Sequence, residues 1–117
     1  MAGTRVAGMR VAAGQPLNEV RLRGRLTGAV ERELPSGDLL VTARLVVPRA
    51  DSASAAGVDT INCALWAAQL RRRALNVPEG TVVEVEGVLR RRFWRGAAGP
   101  ASRYEVEVVA LRRLTRG

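Results

Sequence analysis

Residues 81–95 read TVVEVEGVLRRRFWR, and their alternation decides the fold. Val83, Val85, Gly87, Leu89 and Phe93 fall on one side of an extended chain, and Glu84, Glu86, Arg90, Arg92 and Trp94 on the other, with Arg91 breaking the apolar side near the end. A period of two is the mark of a half-buried β-strand. Gly96-Ala97-Ala98-Gly99-Pro100 then reads as a hairpin loop, and residues 102–114 return as a second strand with Tyr104, Val106 and Val108 inward.

The same period runs upstream. Val20, Leu22, Gly24 and Leu26 alternate with Arg21, Arg23 and Arg25, with a bend or bulge expected at Gly24. A Pro35-Ser36-Gly37-Asp38 turn separates residues 29–34 from a second strand, 39–47, whose Val41, Ala43, Leu45 and Val47 share a face. Residues 48–58, PRADSASAAGV, read as a long exposed loop. In a third strand, 59–66, Ile61, Cys63 and Leu65 take the buried face and Thr60, Asn62 and Trp66 the other. Residues 67–76 lack Gly and Pro and stop before Pro78-Glu79-Gly80, so a helix of two to three turns is expected, with Leu70 and Leu75 its only strong apolar residues. Three strands, a short helix and two strands is the order of an OB-fold: all-β with one short helix, a five-stranded Greek-key barrel.

Composition bounds the function. At 117 residues the chain buries enough surface for one domain, roughly 6,200 Å² exposed when folded against roughly 18,000 Å² unfolded. The expected layout is a flexible basic arm over 1–16, the barrel domain over 17–114 and a short end at 115–117. Apolar residues make up 47% without any run approaching a membrane span, so no membrane partner is expected. Nineteen basic residues against 11 acidic give +8, a field that favours a polyanion. Every basic residue is Arg, which reads as codon bias rather than site design. There is no His and one Cys, Cys63, which removes disulfides, His/Cys metal sites and His-based relays. Cys63 reads as a small buried hydrophobe. Glu84 and Glu86 share a face as paired carboxylates can, but they lie opposite arginines with no nucleophile or phosphate loop nearby. No catalytic residue, metal ligand or cofactor is expected. The first fifteen residues lack a secretory apolar stretch, so a cytoplasmic, nucleoid-associated location is expected.

The residues also resemble a family, the bacterial single-stranded DNA-binding proteins, from Leu17 to about Leu114. Asn18-Glu19-Val20 with Gly24-Arg25-Leu26 is similar to its opening strand and Ser36-Gly37 to its first turn. Residues 83–94, VEVEGVLRRRFW, are similar to its V-x-V-E-G-x-L-R-x-R-x-W strand, continued by Arg103-Tyr104 and Glu107-Val108. The resemblance implies a homotetramer that holds single-stranded DNA in replication, repair and recombination, stacking bases on aromatic platforms. Trp94 stands on a matching Trp, and Trp66 where the family usually has Phe. Thr60 occupies a further platform position, and the region after Val47 offers no aromatic for another; each missing stack removes ~1–3 kcal/mol. The sequence closes on Arg112-Arg113-Leu114-Thr115-Arg116-Gly117, without the acidic tail through which the family recruits partners, so either the protein lacks that role or the sequence stops short of the tail.

Trp94 shares a face with Arg90 and Arg92 and so offers a flat π surface among cations, the combination that stacking and backbone tracking need. Trp66 either stacks or plugs the barrel beside the helix. Uncompensated charge is expected at Arg44, Arg90, Arg92 and Arg95, and Thr60 and Asn62 complete the expected groove. The run Arg71 to Arg73 reads as a solvated helix face. On the first strand, Arg21 and Arg23 are expected to meet Glu84 and Glu86, within or between subunits, as an assembly face. The partner is then single-stranded DNA, with RNA left open because nothing here reports on a 2′-hydroxyl. An alternative is a protein–protein assembly module that binds nucleic acid incidentally.

Overall fold

The computed structural model describes residues 13–49 and 57–114. Five strands and one helix follow in order: β1 (Val20–Glu33), β2 (Leu39–Pro48), β3 (Val58–Leu65), α1 (Ala68–Asn76), β4 (Val82–Gly96) and β5 (Gly99–Arg113). They close into a barrel in the order β1-β2-β3-β5-β4, with β1 pairing to both β2 and β4. Every pairing is antiparallel except β3 with β5, which meet in parallel at Cys63 with Val106 and Ala64 with Glu107. This is the expected OB-fold. Residues 1–12 of the arm expected over 1–16, the middle of the long loop at 50–56, and residues 115–117 lie outside the described residues.

Alternation fills the interior. Val41, Leu45, Leu65, Val83 and Val85 are fully buried, joined by Leu26, Cys63, Val106, Val108 and Leu111. Each fully buried Val or Leu contributes about 1.5–3 kcal/mol. α1 adds only Ala74 to this core; Leu70 packs against it in part and Leu75 is exposed. Arginines fasten the helix instead. Arg73 donates to the Leu111 carbonyl at 2.8 Å, and Arg71 donates to the Trp66 carbonyl while lying 3.6 Å from the Glu31 carboxylate. Arg71 is only 18% exposed, so the expected solvated face holds for Arg72 but not for Arg71.

Two departures from simple alternation shape the molecule. The irregularity in β1 is not at Gly24, which sits in the regular ladder because β2 approaches it: a Cβ there would meet the Val46 carbonyl oxygen at 2.4 Å. It falls between Thr27 and Val30, one extra residue in β1 against β2. Gly28 takes φ +64° there, and its N–H donates to both Glu79 carboxylate oxygens, at 3.1 and 3.3 Å.

The second departure is the length of the β4–β5 hairpin, paired from Val83 with Arg113 out to Gly96 with Gly99. β1 accompanies β4 only to Val20 opposite Gly87, after which the Asn18 carboxamide makes one more rung, donating to the Leu89 carbonyl and accepting from its N–H, both at 2.8 Å. Beyond that rung the hairpin projects as an arm with no barrel interior left to face. Phe93 and Tyr104, expected inward, are therefore 72% and 55% exposed. The expected five-residue loop shortens to a turn at Ala97 and Ala98, with Gly99 at φ +120°.

Candidate nucleic-acid interface

Between the β1–β2 hairpin and the β4–β5 arm lies an open groove of about 430 Å³, walled by Arg32, Leu34, Leu40 and Thr42 on one side and by Arg92, Phe93, Trp94 and Arg103 on the other. It runs into a polar hollow of about 220 Å³ that shares Arg32, Thr42 and Arg103 and adds Arg44 and Asn62. No carboxylate lines either space. Trp94 is 47% exposed, with the Arg103 guanidinium 5.7 Å from its ring centroid. Arg92 stands 5.8 Å over the Trp66 ring and donates to Glu105 at 3.2 Å. Arg32 donates to the Thr42 hydroxyl at 3.0 Å. Arg44 occupies the space above Gly28, where a Cβ would meet its guanidinium at 2.8 Å.

Of the residues expected from the sequence, the fold gathers Trp94, Arg92, Arg44 and Asn62 around this groove. Trp66, half-buried just past β3, touches it through Arg92. Arg90 shares the strand face but pairs with Glu107 at 3.0 Å, and Arg95 stands opposite Pro100, on the other side of the arm by alternation. Thr60 is exposed on β3 without lining either space. The expected surplus charge is corrected accordingly. Arg90 is paired with Glu107, and Arg92 and Arg103 share the single carboxylate of Glu105, which leaves one positive charge between them, whereas Arg44 and Arg95 have no carboxylate partner among the described residues. Arg32 and Arg103 are additions. Arg103 was visible as the residue across from Arg92; Arg32 depends on the β1 bulge, which no residue pattern marks except Gly28.

On the far side, Glu84 is only 3% exposed yet lies on the outward parity of β4. Arg23 at 2.6 Å, Arg112 at 3.1 Å and Arg21 at 3.3 Å close over it. The hydrogen bond from Arg23, with the charges of Arg21 and Arg112, holds the Glu84 carboxyl below the usual carboxylate range against the opposing pull of desolvation. Arg21 and Arg23 thus both meet Glu84. Glu86, opposite Arg21 in register, has no ion-pair partner among the described residues.

Comparison with known proteins follows this geometry. The family model described as "Single-strand binding protein family" matches residues 17–114. Among solved structures, the chain is similar in fold to the one described as "Plasmodium falciparum SSB complex with ssDNA", with a TM-score of 0.72 and 19% identity, covering 89% of this chain and 100% of that one. No curated protein matches the chain.

Proposed function

Because the chain belongs to the single-strand binding protein family, we propose that it binds single-stranded DNA with little regard to sequence. Bases stack on Trp94, and phosphates meet Arg32, Arg44, Arg92 and Arg103. The observation that carries this reading is the exposed indole of Trp94 in a groove with four arginines on its walls and no carboxylate. Every base has a π-face, so stacking tolerates sequence, and guanidiniums track the backbone they neutralise. We extend the reading to a role in replication, repair or recombination at the nucleoid, and to a homo-oligomer, a tetramer by family resemblance. Titration of tryptophan fluorescence with oligothymidylate at several salt concentrations tests it: quenching that weakens with salt is expected, and no binding at low salt overturns it. The Glu84 cluster favours a second reading, an assembly module binding nucleic acid incidentally, for which the same titration shows no quenching while light scattering shows an oligomer.

A further inference from the structure

The arm formed by β4 and β5 beyond Leu89 has two faces, and the groove just described takes the front one and, of the reverse, only Phe93. Alternation places Arg90, Arg92, Trp94, Arg103, Glu105 and Glu107 on the front. It places Arg91, Phe93, Arg95, Ser102 and Tyr104 on the reverse. The two faces differ in charge balance. Both front carboxylates are tied into ion pairs with Arg90, Arg92 and Arg103, while the reverse carries two arginines and no acid at all. Phe93 and Tyr104 there are among the most exposed apolar side chains described.

The reverse face is also organised. The Arg91 guanidinium lies 5.2 Å from the Phe93 ring centroid and 5.0 Å from that of Tyr104. It donates to the Ser102 hydroxyl at 3.0 Å and to the Tyr104 hydroxyl at 3.2 Å. A cation held over two rings, with no carboxylate partner among the described residues, remains available to an anion. The Tyr104 hydroxyl accepts from Arg91 and so keeps its own proton to donate.

We propose that this reverse face is a second track for the same single strand, with Phe93 and Tyr104 stacking bases and Arg91 and Arg95 meeting phosphates. The occupant follows from charge complementarity and from continuity. Phe93 already lines the front groove beside Trp94, and past Leu89 the outer edge of β4 pairs with no strand among the described residues. A chain leaving Trp94 therefore has an open edge to turn around. The inference rests on the proposed function and deepens it, since it predicts a strand that wraps the arm rather than one that only crosses the barrel.

The test uses oligothymidylates of two lengths, about four and about sixteen nucleotides, the span of site sizes for such barrels. The double variant Arg91→Gln/Tyr104→Ala, at two residues that line neither groove space, is expected to bind the short oligomer within about twofold of wild type and the long one at least about tenfold more weakly. Trp94→Ala weakens both. In the unaltered protein, photocrosslinking with bromodeoxyuridine in the long oligomer is expected to label Tyr104, and in the short one only residues that line the front groove. Long-oligomer affinity unchanged in the double variant, with no label on Tyr104, overturns the proposal while the front-groove reading stands. A double variant that loses oligomeric mass in light scattering, with unaltered affinity per protomer, assigns the face to a second copy and also overturns it. Failure of wild type to bind either length removes both readings.

Discussion

Arg103 lies over the indole of Trp94, 5.7 Å from its centroid, so a cation covers one side of the exposed platform before any base arrives. An exposed cation–π contact is worth ~0.5–1 kcal/mol, less than the ~1–3 kcal/mol of a base stack. A base therefore takes the other face or displaces Arg103 toward a phosphate. Trp94→Ala is expected to cost ~1–3 kcal/mol of single-strand affinity with stability changed by less than ~0.5 kcal/mol. Anisotropy of a labelled oligothymidylate and a thermal melt measure the two.

Salt dependence counts the phosphate contacts. Arg32 and Arg44 have no carboxylate partner among the described residues, and Arg92 and Arg103 share the single carboxylate of Glu105, so the groove carries three net charges and the log–log slope of affinity against salt is expected to be about −2 for a single strand. Arg32→Gln or Arg44→Gln should each flatten it by roughly 0.7. A slope unchanged in both variants removes them from the groove.

Arg71 holds the backbone of Trp66 through its carbonyl and is itself held by Glu31. Arg71→Ala is expected to lower stability by about 1.5–3 kcal/mol, the range for a hydrogen bond to a charged group. It should also shift the emission of Trp66 to the red. Trp94→Phe isolates that signal, because the chain has two tryptophans.

The Glu84 cluster gives an assembly prediction. Arg21→Gln/Arg23→Gln leaves Glu84 with Arg112 alone. The double variant is expected to lose melting temperature and oligomeric mass while keeping oligothymidylate affinity within about twofold, a shift of less than ~0.5 kcal/mol. Loss of binding with the assembly state intact would place the arginine stripe in the groove instead.

Protonation separates two buried groups. Glu84 is depressed below its ordinary 4.5, so its contribution is present above that value and fades as pH falls through the lower folded-state value. The acid limb of a pH–melting profile should flatten in Glu84→Gln. Burial, helped by the charge of Glu105, pushes the Cys63 thiol up from 9.0 to about 12. Its contribution is therefore full below 9.0 and is lost as pH rises toward about 12. At pH 8 Cys63 is expected to resist thiol reagents in the folded protein and to react once denaturant is added.

Much of this architecture was legible because burial writes itself into period two. Val83 and Val85, Val41 and Leu45, and Cys63 and Leu65 sit where alternation put them. Alternation does not say where a barrel stops, which is why Phe93 and Tyr104 were assigned to an interior that ends before them. Nor does it give the partner of a charge. Arg90 faces Glu105 in register yet reaches diagonally to Glu107, while Arg92 faces Arg103 and reaches to Glu105. Those choices depend on twist and side-chain reach, which composition does not carry.

The single extra residue in β1 sets the polarity of the groove. Counted without a break from Thr27, which pairs with Arg44, the outward places further along would fall to Glu31 and Glu33. The bulge gives them to Val30 and Arg32, paired with Thr42 and Leu40, and turns Glu31 away to Arg71. Two negative charges are thereby exchanged for one positive charge on the same wall, a difference of three units without any change in composition. The +8 of the chain attracts a polyanion from a distance, but the wall it meets owes its sign to a count of backbone units. Deleting Gly28 would leave every charged residue in place and present that strand with the opposite field.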